Sequence, residues 1–436
     1  MSRALPDMPL ESILSTLIDY RGKTPTKSLS GVKLITAKVI KGGRIEDGNH
    51  EFIAEADYDS WMRRGLPQQR DILITTEAPL GEVAMLRSAE KVALAQRVIL
   101  LRANGQLADQ DYLFQALKSP LVQARLYARG TGTTVLGIKQ SELRQVEIPM
   151  PPLPTQRRIA SILSAYDDLI ENNTRRIGIL EEMARRIYEE WFVRFRFPGH
   201  EGLRMVESEL GLVPEGWSRV PLGMLVGHHI GGGWGQEAPT EEFSVPAYVI
   251  RGTDIPDVRF SSLGRSPLRY HTASNFRSRR LQPRDIVFEV SGGSKDQPVG
   301  RAVMVGDALL SRAGAPVICA SFCRLVRADP SQILPELLRF HFDYIYANRE
   351  IMQYQTQSTG ITNFKFTVFL EKEIVLKPSA EVQRQFSKVA RPMLQLAEYL
   401  GIKNSVLRAT RDLLLPKLIS GELDVSAMPE PEALAA

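Results

Sequence analysis

The sequence has only two cysteines among its 436 residues, Cys319 and Cys323. No further cysteine is available to pair with either of them, so a framework of disulfides is excluded and a reducing cytoplasm is the expected environment. A zinc site would need a second pair of ligands nearby, and the sequence offers none. We therefore interpret both cysteines as side chains of the protein core and predict no bound metal.

Long hydrophobic runs are also absent, although hydrophobic residues make up 43% of the chain. No apolar stretch approaches the ~20 residues that a membrane-spanning helix needs. Residues 1–7 lack the apolar core of a signal peptide. We expect no membrane partner.

Catalytic motifs are missing too. Residues 22–24 (Gly-Lys-Thr) end like a phosphate-binding loop, but position 17, where that loop requires glycine, is leucine. The histidines show no H-E-x-x-H spacing, no glycine-rich dinucleotide fingerprint links a strand to a helix, and no Asn-Pro-Pro-Tyr motif of an adenine methyltransferase occurs. The sequence thus predicts no catalytic residue and no cofactor bound to this chain.

Neither sign of charge dominates. The chain has 55 Lys and Arg residues against 50 Asp and Glu residues, which gives a net charge of +5 and an isoelectric point of about 9.1. This balance permits binding to nucleic acid but does not require it, because many basic proteins bind none.

What the sequence does contain is an internal repeat. Residues 156–159 (Gln-Arg-Arg-Ile) follow a proline-rich stretch, and residues 383–386 (Gln-Arg-Gln-Phe) follow Pro378, with an offset of 227 residues. Upstream, residues 70–73 (Arg-Asp-Ile-Leu) match residues 284–287 (Arg-Asp-Ile-Val). The matches keep their order over nearly the whole chain, which predicts two globular domains of one plan, each followed by a long helix.

Each half mixes short β-rich runs, set between Gly, Pro and Asn turns, with a helix predicted at residues 112–128 or 335–355. The predicted fold class is therefore α+β, with two similar domains separated by two long antiparallel helices in a pseudo-two-fold repeat. The predicted boundaries are 1–152 for the first domain, 153–198 for the first long helix, 199–379 for the second domain, 380–425 for the second long helix and 426–436 for a flexible tail.

The long helices show the clearest local pattern, an apolar seam whose spacings alternate between four and three residues. The first seam consists of Ile159, Leu163, Tyr166, Ile170, Asn173, Ile177, Leu180, Ala184, Ile187 and Trp191. The second seam, 227 residues later, includes Phe386, Ala390, Ala397, Leu400, Asn404, Leu407, Arg411, Leu414 and Leu418. Pro392 and Pro416 are expected to kink or fray the second helix. Two amphipathic helices, each packed only on its own domain, are the alternative.

One asparagine in each seam predicts how the helices pair. Parallel pairing in register would set Asn173 against Leu400 and bury an unpaired amide. Antiparallel pairing instead brings Asn173 to Asn404, as a buried polar layer that fixes the register. The same register sets Arg411 against Tyr166, whose ring or hydroxyl would receive the guanidinium. In the alternative, one or both asparagines face solvent.

Loops with hydroxyl, amide and basic side chains recur in both halves. Hydroxyl groups and backbone amides contact phosphates, whereas Arg, Lys, Asn and Gln read base edges. The predicted DNA-binding residues of the first half are Arg21, Lys23, Thr36, Lys38, Thr76, Thr131, Thr133, Thr134 and Lys139. Those of the second half are Trp234, Arg251, Ser294, Lys295, Thr359, Thr362, Asn363 and Lys365, and a basic cluster lies at residues 277–280. A solvated turn is the alternative for each loop taken alone, and a shared turn geometry would also explain the repetition.

Four segments resemble the conserved parts of type I restriction–modification specificity subunits. Residues 151–163 resemble the entry to the central helix of that family, and residues 191–200 resemble its exit. Residues 208–217 are similar to the lead-in to the second recognition domain, and residues 413–423 to the C-terminal conserved segment. Arg411 departs from an apolar seam.

The resemblance implies that two target recognition domains each read half of a split DNA site. The paired helices would act as spacer, and two methyltransferase subunits would dock on this scaffold. S-adenosylmethionine, ATP and Mg²⁺ would be used by those subunits and by restriction subunits, and this chain would be no enzyme. Two rigid readers on one face of a duplex are expected about one helical turn apart, ~34–36 Å. The sequence does not reveal which bases are read.

Three other functions fit part of the pattern. They are a specificity subunit of a type IIB-like restriction system, a coiled-coil adaptor that binds only protein, and a nuclease or methyltransferase that acts alone. An adaptor would show no affinity for duplex DNA at low salt, and a lone enzyme would modify DNA unaided.

Overall fold

The computed structural model describes residues 5–20, 24–46, 48, 50–132, 134–208, 211–292, 297–358 and 361–428. The chain divides into two compact units, which are described separately. Unit 1 consists of residues 1–169 and 407–436, and unit 2 of residues 170–406. Both boundaries fall inside the long helices, so each unit contains part of both helices.

Residues 5–152, called the first repeat, form the body of unit 1. Its strands are β1 (Asp7–Pro9), β2 (Leu14–Asp19), β3 (Val32–Ile35), β4 (Ile40–Lys41), β5 (Arg44–Ile45), β6 (Glu51–Ile53), β7 (Ile72–Thr76), β8 (Leu80–Met85), β9 (Val92–Leu94), β10 (Val98–Ala103) and β11 (Glu147–Pro149). Its helices are α1 (Tyr58–Trp61), α2 (Gln110–Lys118), α3 (Pro120–Ala128) and α4 (Gln140–Arg144), and the first long helix, α5 (Leu153–Tyr188), follows.

The central sheet of the first repeat has the strand order β2-β10-β7-β8. Strand β7 is buried along its whole length because apolar side chains cover both of its faces. Ile72 and Ile74 pack into one core, together with helices α2 to α5, whereas Leu73 points into a second core with the sheet β6-β3-β9. Strands β1 and β11 form a separate pair.

Residues 199–379, called the second repeat, form the body of unit 2. Its strands are β12 (Met205–Ser208), β13 (Gly211–Pro214), β14 (Ser218–Pro221), β15 (Val226–Gly231), β16 (Val245–Ile250), β17 (Leu268–His271), β18 (Ile286–Glu289), β19 (Ser291–Gly292), β20 (Ala302–Met304), β21 (Val317–Cys319), β22 (Cys323–Ala328), β23 (Gln355–Ser358), β24 (Ile361–Phe364) and β25 (Ile374–Lys377). Its helices are α6 (Ile255–Arg259), α7 (Ala273–Arg279), α8 (Asp307–Arg312), α9 (Pro335–Ala347) and α10 (Phe366–Lys372), and the second long helix, α11 (Ala380–Ile419), follows.

The two repeats share one topology, so the predicted α+β class and internal repeat are confirmed. The sheet β15-β22-β18-β20 corresponds to β2-β10-β7-β8, the sheet β17-β16-β21 to β6-β3-β9, and the pair β14-β25 to β1-β11.

The repeats also share a local feature at the start of an inner strand. Arg70 and Arg284 both have a left-handed backbone, with φ of 72° and 69°. The next residue in each repeat is a buried aspartate that forms a bidentate ion pair with a strand arginine, Asp71 with Arg102 and Asp285 with Arg327, at 2.7 Å for each bond.

A glutamine fastens the start of each long helix to its own repeat. Gln156 accepts a hydrogen bond from the backbone amide of residue 109 at 2.8 Å and donates to the carbonyls of residues 107 and 151. Gln383 accepts from the amide of residue 334 at 3.0 Å and donates to the carbonyls of residues 332 and 378. The repeated glutamine of the sequence is therefore an anchor of the fold.

Several sequence-based boundaries are wrong. The helix predicted at 112–128 is two helices, because Ser119 precedes Pro120, adopts an extended conformation and caps the second helix. The helix predicted at 335–355 ends at Ala347, followed by Arg349 in a left-handed conformation and a 3-10 turn. Fraying at Pro416 is not observed, since α11 is assigned as one helix of 40 residues.

The long helices have the antiparallel register. In unit 1, Ile159 and Leu163 share a core cluster with Leu418. In unit 2, Leu180 packs in the cluster of Ala397. All predicted seam residues among positions 159–187 and 386–418 are buried or half-buried, so the helices do not pack only on their own repeats.

The polar layer of the seam lies within unit 2. Asn173 Nδ2 donates to Asn404 Oδ1 at 3.0 Å, as the antiparallel register predicts. Asn404 Nδ2 in turn donates to the Ile170 carbonyl at 3.2 Å and to Thr174 Oγ1 at 3.1 Å. Within the seam, these bonds therefore replace the hydrogen bonds that the two amide groups would form with water.

The predicted contact of Arg411 with Tyr166 is wrong. In unit 1, the Arg411 guanidinium instead donates to Asp167 Oδ1 at 2.6 Å and pairs with Asp412 at 2.8 Å. A carboxylate adjacent to the seam attracts the cation more strongly than a ring does.

Both cysteines are free and fully buried, as the sequence predicts. Among the residues that the structure describes, no helix combines the length and the apolar character required to cross a bilayer.

Candidate DNA-recognition site

In the first repeat, segments that are distant in sequence meet at a cleft of about 310 Å³. Thr76 and Glu77 line it from the end of β7, and Gln96 and Arg97 from the turn before β10. The loop between α3 and α4 contributes Thr131, Val135, Gly137, Ile138 and Lys139. The cleft therefore joins one candidate loop to the end of β7 and the start of β10, the two inner strands of the central sheet.

Backbone hydrogen bonds hold this loop in place. Thr131 and Gly137 exchange amide–carbonyl bonds of 2.7 and 3.0 Å, and the Ile138 amide donates to the Thr76 carbonyl at 2.9 Å. Thr24 Oγ1 donates to Gln96 Oε1 at 3.2 Å, which brings the predicted loop after β2 to the same place.

The second repeat builds the same corner from a hairpin. The Phe364 amide donates to the Val290 carbonyl at 2.9 Å, in the position of the bond from Ile138 to Thr76. Strand β19 pairs with β24, and Ser291 Oγ donates to Asn363 Oδ1 at 2.9 Å. Thr362, opposite Gly292, is half-buried, whereas Asn363 is exposed.

Two predicted lysines occupy equivalent positions in the repeats. Lys139 directly precedes α4, and its carbonyl accepts the Leu143 amide at 2.9 Å. Lys365 directly precedes α10, and its carbonyl accepts the Phe369 amide at 2.9 Å. Both side chains are exposed and, among the described residues, neither forms an ion pair. The two repeats thus present one cation each at the same corner of the same fold.

Known proteins with similar sequences share one description. Residues 63–182 match the family model of the type I restriction modification DNA specificity domain. The type I restriction enzyme MjaIX specificity subunit of Methanocaldococcus jannaschii is 27% identical over 363 residues, which cover 82% of this chain and 78% of that protein. This chain is thus similar in sequence to type I specificity subunits. The MjaVIII specificity subunit of the same organism is 29% identical over 155 residues, 35% of each chain.

A solved structure agrees on the fold of these specificity-subunit relatives. The crystal structure of the type I restriction–modification system S subunit from M. genitalium superposes with a TM-score of 0.54 at 16% sequence identity. The superposition covers 95% of this chain and 96% of that one. It therefore supports the repeated α+β architecture with long helices.

Two of the predicted contact residues have other tasks in this fold. Thr76 is only 1% exposed, and its hydroxyl donates to the Arg97 carbonyl at 3.4 Å, so it supports the cleft from below. Arg251 holds Asp254 with two bonds of 2.8 Å and also donates to the Arg265 carbonyl. Thr76 is therefore too buried to contact DNA, whereas Arg251, bonded through Nε and Nη2 and with a side chain 36% exposed, stays a prediction.

The other predicted residues that the structure describes are accessible to different degrees. Thr131, Thr134 and Lys38 are exposed, while Thr36, which precedes a 3-10 turn, is half-buried. Trp234 is 41% exposed, and the guanidinium of Arg269 lies 4.8 Å from the centre of its ring. Arg21, Lys23, Thr133, Ser294, Lys295 and Thr359 lie outside the described residues.

Sequence reasoning missed several groups at these corners. Arg97 lines the first cleft and pairs with Glu77 at 2.7 Å. In the second repeat, Arg324 lies over the ring of Phe366 at 4.6 Å, and the ring of His229 lies 5.6 Å from the same phenyl ring. An arginine or histidine within a strand gives no sequence signal of which sheet face it occupies, so only the fold brings these groups together.

Burial and charge set the protonation of this second-repeat cluster. Burial lowers the pKa of His229, and repulsion by Arg324 and His228 lowers it further. Burial also lowers the pKa of Arg324, although that residue stays charged at neutral pH. Within the described part of the chain, no three His, Cys, Asp or Glu side chains are grouped to hold a metal ion.

Proposed function

We propose that this chain is the non-catalytic DNA-specificity subunit of a type I restriction–modification complex. The first repeat, within domain 1–152, and the second repeat, residues 199–379, each read one half of a bipartite duplex site. The observation that carries the proposal is the pair Lys139 and Lys365, two exposed cations at one corner of a duplicated fold. Since the buried frame is duplicated and the surfaces differ, the two half-sites need not be alike.

In this proposal the long helices set the spacing of the half-sites and dock two methyltransferase subunits. Apolar side chains remain exposed on both helices in the isolated chain, which supports a protein-binding role. They are Leu169, Ile179 and Met183 on α5, and Val389, Leu396, Tyr399, Val406 and Leu413 on α11. S-adenosylmethionine would be used by the methyltransferase subunits, and ATP and Mg²⁺ by restriction subunits. The complex would act on cytoplasmic DNA.

The first test measures DNA binding by the full chain. Fluorescence anisotropy with a random-sequence duplex is recorded at several salt concentrations between about 50 and 200 mM, a range in which phosphate contacts are strongly salt-dependent. We expect binding at low salt that weakens linearly on a log–log plot. Absence of affinity at 50 mM salt would instead support a protein-only adaptor.

A second test separates recognition from catalysis. The purified chain is incubated with duplex DNA, S-adenosylmethionine, ATP and Mg²⁺, and methylation and cleavage are measured. We expect neither product without the partner subunits. Modification of DNA by the chain alone would contradict the non-catalytic assignment.

A further inference from the structure

Arg324 lies on β22 of the second repeat, in a space that its neighbours leave open. Its cross-strand partners are Gly231 on β15 and Phe288 on β18. Phe288 is buried in the core, whereas Gly231 has no side chain, and a Cβ atom added there would meet nothing within 4 Å. The side of Arg324 that faces β15 is therefore free to admit a ligand.

No carboxylate neutralises this arginine among the described residues. Other arginines of the second repeat are held by buried acids, Arg301 by Glu289 and Arg327 by Asp285. Arg324 instead lies over Phe366, and its Nε is shielded from solvent without a hydrogen-bond partner. Burial lowers the pKa of Arg324, and the only opposing group is the Cys319 thiol, with no carboxylate contributing. An uncompensated, half-buried cation is costly unless a ligand supplies the missing acceptors.

The surroundings of Arg324 suit nucleic acid. Lys365, next to Phe366 in the chain, is an exposed cation at the same corner. His229, two residues before Gly231 on β15, contributes two ring nitrogens. Exposed Asn363 is bonded to Ser291 on the adjoining hairpin. The patch is thus rich in hydrogen-bond donors and contains no acid among these residues.

The ring of Phe366 restricts the orientation of the Arg324 guanidinium and so the kind of contact it can make with nucleic acid. A guanidinium stacked on a ring is held in one plane and presents its donors edgewise. Two parallel donors in a plane match the O6 and N7 acceptors of guanine in the major groove. Phosphates are contacted more readily from exposed, flexible side chains such as Lys365.

We propose that Arg324 reads a guanine in the half-site of the second repeat, with Phe366 as its positioning residue. This inference rests on the proposed function. The equivalent position of the first repeat is Ile99, which pairs with Asp19 and Ile74 as Arg324 pairs with Gly231 and Phe288. Because Ile99 is fully buried, the reading is specific to one half of the site.

The test begins with selection from a random duplex library, using the full chain in complex with its methyltransferase subunits. Wild type should enrich a bipartite motif, and Arg324→Ala should enrich the same motif with one guanine lost from one half. Arg324→Lys keeps the charge but loses the planar fork, so it should weaken the preference for the same guanine without removing the charge contribution to affinity. Arg312→Ala is the matched control, because it removes an exposed arginine of α8 in the same repeat that is not among the predicted DNA contacts.

Replacing the identified guanine by 7-deazaguanine, which lacks the N7 acceptor, completes a double-mutant cycle. The analogue should weaken wild-type binding on the order of tenfold or more, as expected for loss of a bidentate base contact, and should leave Arg324→Ala unaffected. Thermal unfolding of each variant checks that the repeat remains folded.

The outcomes separate the two claims. If wild type enriches no motif, the proposed function fails. If wild type enriches a motif and Arg324→Ala enriches the same motif unchanged, only the inference fails. A uniform loss of affinity with a flatter salt slope would make Arg324 a phosphate contact and would likewise overturn it.

Discussion

In unit 1, the cation that the repeat offers to Asp167 of α5 is Lys118, whose Nζ lies 3.3 Å from Asp167 Oδ2, beside Gln115, which donates to the same oxygen at 2.9 Å. In unit 2, the repeat offers two arginines, Arg259 at 2.8 Å and Arg339 at 3.3 Å, to Glu181. Both carboxylates belong to α5, and they are 14 residues apart, two heptads of the seam. Each repeat is therefore attached to α5 by ion pairs of the same kind, in which the repeat supplies the cation and the helix supplies the carboxylate. The residues that supply the cation differ between the repeats.

The outward surfaces differ much more than these attachments do. The carbonyl of Arg97 accepts the amide of Thr76 in the first repeat, and the carbonyl of Phe322 accepts the amide of Val290 in the second. The side chain at this shared position is thus an arginine paired with an acid in one repeat and a phenyl ring, 61% exposed, in the other. The comparison teaches that a constant frame carries two different surfaces at equivalent positions.

The largest effect is expected from breaking the frame itself. Asp71→Ala and Asp285→Ala should each lower the free energy of unfolding of their unit by about 3–5 kcal/mol, because each leaves a strand arginine without its buried partner. Chemical denaturation monitored by hydrogen exchange would measure both units. Asp59→Ala, an exposed acid, is the control. If only one of the two substitutions lowers the free energy of unfolding, the ion pair does not stabilise both repeats.

A smaller loss is expected at the seam. Asn404→Leu should cost about 1–3 kcal/mol, because it leaves the buried amide of Asn173 without its acceptor. Asn173→Leu should cost less, since Asn404 keeps its bonds to the Ile170 carbonyl and Thr174. Denaturant unfolding of both variants and of the double variant measures the coupling. Equal stability of wild type and Asn404→Leu would contradict the polar layer.

Acidification should distinguish the two units. Burial lowers the pKa of His271 and of His229, with Arg279 and Arg324 respectively adding to the effect. Their folded forms resist protonation, so this stability is present above the unfolded pKa of about 6.5 and is lost as pH falls below it.

In unit 1, burial raises the pKa of Asp167, but Lys118, Gln115 and Arg411 outweigh it and the net shift is downward. That stability is lost only below the unfolded pKa of about 3.9. After correction for the intrinsic pH dependence of exchange, amide protection in unit 2 should therefore fall between pH 7.5 and 5.5. Protection in unit 1 should stay the same over that range. The variant His229→Gln/His271→Gln should remove most of the difference, and equal acceleration in both units would refute the expectation.

The smallest effect concerns the paired lysines. Lys139→Ala and Lys365→Ala should each lower affinity for all duplex sequences and reduce the salt slope by about one unit, as expected for one phosphate contact. Anisotropy titrations at several salt concentrations measure this, with Lys388→Ala, an exposed lysine of α11, as the control. If only one of the two substitutions changes the salt slope, the corners of the two repeats are not equivalent in DNA binding.

Much of the fold could be predicted because its rules are local or periodic. The heptad seam and the need to pair two buried amides predict the register between Asn173 and Asn404. The repeated glutamine and aspartate mark equivalent positions even though their partners are distant in sequence. The break at Ser119 is also local, because the residue before a proline disfavours the helical conformation. The apolar pattern continues across Pro120, and that pattern alone predicts one helix.

The site was less predictable because exposure depends on tertiary contacts. Thr76 looked like a loop hydroxyl but ends a buried strand, and Arg251 is captured by Asp254 three residues later. Arg324 was missed because its importance arises from what is absent around it. Only the fold reveals that Gly231 leaves space beside Arg324 and that no carboxylate of the described residues pairs with it.

The central claim is that two different surfaces on one frame each read half of a site, and an exchange of domains tests it most directly. Residues 1–152 are replaced by the equivalent domain of another specificity subunit, and the methylated motif is sequenced in a host that carries the intact system. We predict that one half of the motif changes while the other half and the spacer stay the same. A change in both halves, or in neither, would contradict the account.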